Sequence, residues 1–138
     1  MDPNMAVEAV CHCGQVKLVA KEAPEKFTSC NCSLCHAYGH ICAYYSEKDV
    51  TITGETHTYS HGDKGIAFHR CSTCGCHTHW LGIDPSSTSD RMALNARLLP
   101  RAVLQACTVR HFDGLNTWTF RDGDKSFPRE DIGCNVLK

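Results

Sequence analysis

Cysteines in three short clusters are the residues of this chain whose type and spacing could do chemistry. The clusters are Cys11-His12-Cys13-Gly14, Cys30-Asn31-Cys32-Ser33-Leu34-Cys35 and Cys71-Ser72-Thr73-Cys74-Gly75. Thiolates two or three residues apart can converge on one ion, and Zn²⁺ prefers such soft ligands in tetrahedral geometry. Four thiolates close a zinc site, whereas three leave one coordination position open. The seven clustered cysteines divide as four plus three, which predicts one structural zinc and one reactive zinc.

Disulfides and an iron–sulfur cluster are the alternatives to zinc. Close cysteines in a small secreted protein usually form disulfides. However, the first eight residues lack the basic segment and apolar run of a secretory signal. The total of 11 cysteines is odd, and a Cys-x-Cys disulfide would close a small, strained ring. Spacings typical of ferredoxins are absent, so the pattern favours zinc.

Length and composition predict one ordinary soluble domain over residues 1–138. The formal net charge is -1, and no run of lysine and arginine indicates binding to nucleic acid or to an anionic membrane. No stretch is long enough for a transmembrane helix. Thiolates that must stay reduced fit a cytoplasmic location. Nothing in the sequence indicates the oligomeric state.

The elements that must position the clusters are predicted to be mostly short strands. Alternating polarity and branched or aromatic residues predict strands at 15–19, 41–45, 50–53, 56–59, 65–70, 76–81 and 92–98. Helices are expected only at 34–39 and 101–105, and 84–90 has the composition of a loop. Such a mainly β fold has a thin core, and bound zinc would supply missing folding free energy.

In its clusters the chain resembles the glutathione-dependent formaldehyde-activating enzymes and their relatives, which include centromere protein V. Further matches lie at 54–59, 95–98 and 112–116, so the resemblance spans 11–116. It implies a β-tent fold of small antiparallel sheets around zinc, with few short helices, and carbon–sulfur lyase activity. It also implies two sets of zinc ligands. The closed structural site would comprise Cys11, Cys13, Cys71 and Cys74, and the site of glutathione chemistry Cys30, Cys32 and Cys35.

The chemistry of three thiolates favours the same activity. Each thiolate donates negative charge to zinc, so a three-thiolate site is a poor generator of hydroxide. It can still hold a fourth thiol, such as glutathione, in its deprotonated form. A thiol beside an aldehyde adds to the carbonyl to form a hemithioacetal, and the reverse reaction cleaves a carbon–sulfur bond. We therefore expect a zinc-dependent lyase or synthase for adducts of glutathione or a related thiol with aldehydes, or for thioethers.

Two non-enzymatic functions are also compatible with the sequence. The alternative is a non-catalytic β-tent zinc domain that binds a protein partner, and the number of protein ligands on each zinc would distinguish it from the enzyme. A chromatin-associated module is disfavoured because the chain has no basic extension.

Several other side chains have both a functional and an ordinary interpretation. His36 or His40 could be a fourth zinc ligand, but a role near the metal, with His36 transferring a proton to the product, is favoured. Arg97 could bind a substrate carboxylate or be an ordinary surface arginine. His77 and His79 are expected on a solvated strand face.

The remaining cysteines and aromatic residues are expected to be structural. Four cysteines outside the clusters are predicted to be apolar fillers or surface thiols: Cys42, Cys76, Cys107 and Cys134. Trp80, Trp118 and Phe120 are predicted to lie in the core.

Overall fold

The computed structural model describes residues 5–62, 64–83 and 90–127. These residues form a mainly β fold of two sheets with two short α-helices, which confirms the predicted fold class. The strands are β1 Val7–Val10, β2 Lys17–Ala20, β3 Lys26–Cys30, β4 Cys42–Ser46, β5 Val50–Thr53, β6 Thr56–Tyr59, β7 Ile66–Cys71, β8 His77–Gly82, β9 Arg91–Asn95, β10 Thr108–Asp113 and β11 Thr119–Phe120. The helices are α1 Ser33–Tyr38 and α2 Arg101–Ala106, and 3-10 turns occupy Glu47–Asp49 and Ala96–Leu98.

The smaller sheet contains three antiparallel strands in the order β1-β2-β5. Its middle strand alternates as a half-buried strand should, with Leu18 and Ala20 fully buried and Val19 exposed. The alternation therefore turns one face of this sheet toward the core.

The larger sheet has eight strands in the order β11-β10-β3-β4-β9-β8-β7-β6. Its pairings are antiparallel except that β10 runs parallel to β3, with Phe112 opposite Cys30. A parallel pair requires a crossover connection. Here the chain that connects β3 to β10 contains both helices and strands β4 to β9. This pairing places the segment that follows β10 beside the second cysteine cluster.

One hydrophobic core joins the two sheets and α2. Its fully buried side chains include Leu18 from the smaller sheet and Met92 and Leu94 from the larger sheet, and Val103 of α2 packs against them. Burying a side chain of this size stabilises the fold by about 1.5–3 kcal/mol. Cys11 and Cys71 belong to the same core cluster, so one pair of predicted metal ligands lies where the sheets meet.

Most predicted elements are present with small changes in their ends. The strands at 50–53 and 56–59 have the predicted bounds, and the two predicted helices are α1 and α2. The predicted strand at 92–98 stops at Asn95, because the Asn95 side chain accepts a hydrogen bond from the Arg97 N–H and starts a 3-10 turn. Strands β1, β3, β10 and β11 were not predicted. The loop expected at 84–90 lies outside the described residues except for Asp90.

In the described part of the chain, no helix has the length and apolar character needed to cross a membrane.

Candidate metal centres

The first candidate metal centre joins the two sheets through four cysteines. Cys11 follows β1 and Cys13 lies in the turn before β2, whereas Cys71 ends β7 and Cys74 lies in the turn before β8. Their four sulfurs all lie within 4.8 Å of one another. The structure thus brings together four predicted ligands that are up to 63 positions apart, 11 and 74 being the outermost.

Tight turns aim these sulfurs at a common point. Gly14 and Gly75 take left-handed backbone conformations, with φ of 85° and 78°, at the ends of the two turns. The Val16 N–H donates to Cys11 Sγ at 3.2 Å, and the Thr73 N–H donates to Cys71 Sγ at 3.4 Å. Backbone N–H donors stabilise thiolates, which are the forms that bind metal.

The pKa of Cys74 shows the same effect. A hydrogen bond from the Cys76 backbone N–H, helped by one from Cys13, lowers the pKa of the Cys74 thiol to about 5. This thiol is therefore ready to bind a cation at neutral pH.

The sulfur separations fit a metal ion and exclude a disulfide. Cys13 Sγ lies 3.6 Å from both Cys11 Sγ and Cys71 Sγ. Four sulfurs placed tetrahedrally at about 2.3 Å from zinc would be about 3.8 Å apart, whereas a disulfide bond measures about 2.05 Å. All ten cysteines in the described residues are free.

The second candidate centre is formed by three cysteines at the junction of β3 and α1. Cys30 ends β3, Cys32 caps the N-terminus of α1, and Cys35 lies inside the helix. Their sulfurs lie within 4.8 Å of one another. The Cys32 N–H donates to Cys30 Sγ and the Cys35 N–H donates to Cys32 Sγ, both at 3.4 Å. Among the described residues this group has three ligand atoms, one fewer than the first centre.

Hydrogen bonds among the three thiols favour the deprotonated, thiolate form of Cys32. Hydrogen bonds from Cys30 and then Cys35 lower the pKa of Cys32 to about 2. The pKa of Cys30 is raised to about 11, chiefly through its hydrogen bond to Cys32. The cluster therefore carries negative charge at neutral pH, which is the charge that a cation requires.

A cavity of about 920 Å³ opens directly onto the second centre. All three of its cysteines line this cavity, whereas none of the four cysteines of the first centre does. Ligand pockets commonly have volumes of about 300–1,000 Å³. Much of the remaining wall is aromatic and consists of Tyr44, Phe68, Trp80, Phe112, Trp118 and Phe120.

The loop after β10 is tied to the cysteine cluster by Asn31 and Asp113. Asn31, between two cysteines of the centre, donates from Nδ2 to Asp113 Oδ1 at 3.1 Å and accepts from the Leu115 N–H at 3.0 Å. Buried Asp113 also accepts from the Asn116 N–H at 3.1 Å and from Thr117 Oγ1 at 3.0 Å. These bonds hold the loop, and the aromatic residues after it, at the mouth of the cavity.

Aromatic residues in this wall correct one expectation from the sequence. Trp118 is 72% exposed and Phe120 is 42% exposed, so neither lies in the core. Trp118 packs edge-to-face on Phe112 with ring centroids 5.1 Å apart. Trp118 and Phe120 are exposed because Phe120 lies in β11, the edge strand of the larger sheet, and Trp118 directly precedes that strand. Trp80 is half-buried and also faces the cavity.

Buried His40 and Cys42 lie behind the second centre. His40 Nε2 is 3.1 Å from Cys42 Sγ, and His40 Nδ1 is 3.1 Å from His77 Nε2. Both ring nitrogens are therefore engaged with groups other than the three clustered cysteines, so His40 does not complete the centre as a fourth ligand. Cys42 lines the cavity and hydrogen-bonds to Cys35. This thiol therefore contacts the second centre, whereas the sequence predicted only an apolar filler or a surface thiol.

The strand histidines are buried, which corrects the prediction of a solvated face. His77 stacks on Tyr38, and His79 is 1% exposed and stacks on His69 at 4.3 Å. Burial lowers the pKa of both His77 and His79 to about 3, so both are neutral at physiological pH. Strand alternation was visible in the sequence, but the packing that covers this strand was not.

His36 and Arg97 lie near the second centre without lining its cavity. His36 is on the exposed side of α1. Arg97 is exposed, and its Nε donates a hydrogen bond to the carbonyl oxygen of Gly39, the residue that ends α1. Proton transfer by His36 and carboxylate binding by Arg97 stay predictions.

Comparison with known proteins gives a family and a fold. The sequence model of the family described as "Glutathione-dependent formaldehyde-activating enzyme" matches residues 6–105. A crystal structure of a Rhodobacter sphaeroides protein, solved as a structural genomics target, is 25% identical in sequence with a TM-score of 0.59. The likeness covers 74% of this chain and 98% of that one. The chain matches no curated protein.

Proposed function

The chain belongs to the family of glutathione-dependent formaldehyde-activating enzymes, and from that premise we propose that it is a zinc-dependent carbon–sulfur lyase or synthase. Its substrates are adducts of glutathione, or of a related thiol, with an aldehyde. The observation that carries the proposal is the convergence of Cys30, Cys32 and Cys35 at the wall of a 920 Å³ cavity. The four-cysteine centre is the structural zinc site, and the ten free cysteines among the described residues suit a reducing compartment such as the cytoplasm.

Cys30, Cys32 and Cys35 would hold a zinc ion, which would supply the positive charge that keeps a substrate thiol deprotonated. The backbone N–H groups of Cys32 and Cys35 orient the sulfurs of Cys30 and Cys32 toward this shared point. The aromatic wall that includes Phe112 and Trp118 gives the cavity an apolar lining, and the volume of about 920 Å³ leaves room for a small carbonyl compound.

The reaction needs a nucleophilic sulfur and a proton. The thiolate sulfur adds to the aldehyde carbon, a carbon–sulfur bond forms, and the carbonyl electron pair moves to the oxygen, which takes a proton. Cleavage is the reverse. Tyr44 lines the cavity, and burial, followed by the charge of Cys42, raises the pKa of its hydroxyl well above the usual value. Its hydroxyl therefore stays protonated and can donate a hydrogen bond to that oxygen.

Exchange spectroscopy tests the enzyme function. NMR magnetisation transfer between glutathione and its hemithioacetals, measured over a panel of small aldehydes, should show faster exchange when the protein is added. Cys32→Ser should abolish the acceleration, whereas Cys107→Ser, outside both centres, should not. Elemental analysis should find zinc. Exchange at the uncatalysed rate with every aldehyde, in zinc-loaded protein, would instead favour the non-catalytic, partner-binding function.

A further inference from the structure

The buried sulfur of Cys42 joins the second metal centre to two side chains behind it. Cys42 is the first residue of β4, and its thiol is hydrogen-bonded to Cys35, to His40 and to the Tyr44 hydroxyl. Its Sγ lies 3.1 Å from His40 Nε2. Cys42 therefore contacts a predicted metal ligand without belonging to the group of three sulfurs that converge.

The residues around its ring hold His40 in place. His40 Nδ1 lies 3.1 Å from His77 Nε2, and the two rings meet edge-on with their centroids 4.5 Å apart. Phe68 also meets the His40 ring edge-on, at 6.3 Å between centroids. Because His40 is buried and its ring is in contact on two sides, its Nε2 stays directed at Cys42.

The metal-binding role of Cys35 fixes the direction of these hydrogen bonds. A thiol loses its proton when it binds a metal, so Cys35 can only accept in its bond with Cys42. Cys42 has one proton, which it donates to Cys35, and its sulfur therefore accepts from the Nε2–H of His40. A neutral imidazole carries a single N–H, so His40 Nδ1 accepts from the Nε2–H of His77.

The surroundings of His77 agree with this direction. Its Nδ1 is buried and makes no hydrogen bond of normal geometry within the described residues. A buried N–H group without a partner is rare in proteins, whereas an acceptor without a partner is somewhat commoner. Nδ1 is therefore the unprotonated nitrogen of His77, and the proton lies on Nε2, which faces His40. Both ends of this series of hydrogen bonds indicate the same direction.

We propose that Cys42 and His40 are positioning residues of the second metal centre: His40 orients Cys42, and the Cys42 S–H group donates a hydrogen bond to the metal-binding sulfur of Cys35. This inference rests on the proposed function, because it requires a metal ion at the second centre. A hydrogen bond donated to a thiolate stabilises its charged form and fixes its orientation, so Cys42 strengthens the binding of metal by Cys35.

Zinc retention tests the role of Cys42. Cys42→Ala removes the S–H donor, and competition with a chromogenic chelator should show a Kd about tenfold higher for the more weakly bound zinc ion, as is typical when a hydrogen-bond partner of a metal ligand is lost. Cys42→Ser keeps a hydroxyl donor at the same position and should restore most of the affinity. Cys107→Ala, which removes a thiol bonded to carbonyl oxygens away from both centres, is the matched control and should retain zinc as wild type does.

The absorption spectrum of cobalt-loaded protein reports the hydrogen bond directly. Cobalt bound by thiolates absorbs light by transfer of an electron from sulfur to metal, and a hydrogen bond to the sulfur raises the energy of that transfer. The band of Cys42→Ala should therefore lie at longer wavelength than that of wild type, whereas the band of Cys42→Ser should lie close to it. The contribution of the four-cysteine centre is common to all variants and cancels in difference spectra.

A double-mutant cycle tests the role of His40. His40→Leu should weaken zinc binding in the same direction as Cys42→Ala but less, because Cys42 then keeps its proton and loses only the bond that orients it. In the Cys42→Ala background, His40→Leu should change zinc retention no further, since His40 acts through Cys42. Additive losses would show that His40 supports the fold instead and would overturn its positioning role.

Unchanged zinc retention and an unchanged cobalt band in Cys42→Ala would overturn the role of Cys42. Equal losses in Cys42→Ala and Cys42→Ser would do so as well, because the volume of the sulfur, and not the donated proton, would then decide the effect. If wild-type protein bound zinc only at the four-cysteine centre, the proposed function itself would fail. That outcome is distinct, because it is seen in wild type before any variant is compared.

Discussion

Gly114 packs directly against Cys30, so closely that a β-carbon on residue 114 would lie 2.7 Å from the Cys30 sulfur. The same carbon would lie 3.2 Å from Cβ of Cys32. The loop after β10 thus contacts two of the three cysteines of the second centre, and glycine is required at position 114 for that approach.

Gly114→Ala should therefore weaken the second metal centre without unfolding the protein. The added methyl group must displace Cys30 or the loop, at a cost of about 1–3 kcal/mol for overpacking. Elemental analysis should find zinc falling from two ions per chain toward one. Gly123→Ala is the control, because its β-carbon would meet no atom within 4 Å. Two retained ions in Gly114→Ala would show that the cluster tolerates displacement.

The two metal centres should respond unequally to loss of a ligand. Cys11→Ser and Cys74→Ser should unfold or aggregate the protein, because their centre joins the two sheets and a closed site contributes folding free energy directly. Cys32→Ser should leave the fold largely intact and remove glutathione-dependent activity. Melting temperatures of the three variants measure the difference, and equal losses would contradict separate structural and reactive roles.

Glutathione binding should release a proton at pH 7. A free thiol has a pKa of about 8.5, so its binding as a thiolate displaces a proton to the buffer. Calorimetry in buffers of different ionisation enthalpy measures that proton. S-methylglutathione, which has no thiol proton, should show neither the release nor comparable affinity.

Variants locate the source of that proton. Cys35→Ala should abolish the release, whereas Cys107→Ala should preserve it because Cys107 lies outside both centres. Zinc must be measured in parallel, since glutathione could extract an ion held by only three ligands. Binding with neither proton release nor zinc loss would mean that the thiol does not meet the metal.

Buried His79 should make the fold sensitive to mild acid. Burial, and then repulsion from His69, lowers its pKa to about 3, whereas the unfolded chain has a histidine pKa of about 6.5. Between these values the unfolded state binds more protons, so stability falls as pH falls, by about 2 kcal/mol per such histidine from pH 7 to pH 5. His79→Gln should lose about 2 kcal/mol less over that interval.

Urea unfolding at pH 7 and pH 5 measures this difference. The protonation of metal-binding thiols is common to wild type and variant and cancels in the comparison. His57→Gln, at an exposed position, should keep the acid sensitivity of wild type. An equal loss of stability in wild type and His79→Gln would show that His79 does not titrate differently in the folded and unfolded states.

The sequence by itself determined the features that depend on neighbours along the chain. Cys30, Cys32 and Cys35 are brought together by a single turn and the start of one helix, so their spacing already predicted a ligand group. The strands at 50–53 and 56–59 follow from local alternation and residue type. The mainly β fold is the sum of such local preferences.

Only the tertiary structure decided which surfaces are covered and which distant segments meet. The parallel pairing of β10 with β3 brings Gly114 to Cys30, although the two are far apart in the chain. Sheet order leaves Trp118 and Phe120 exposed beside a cavity and buries His79, whereas residue type alone indicated the reverse. Arg91 lies over the Tyr44 ring because β9 and β4 pair with Arg91 opposite Ser46. Burial and long-range pairing are properties of the assembled sheets, since they depend on which strand lies beside which, and local periodicity carries no information about that order.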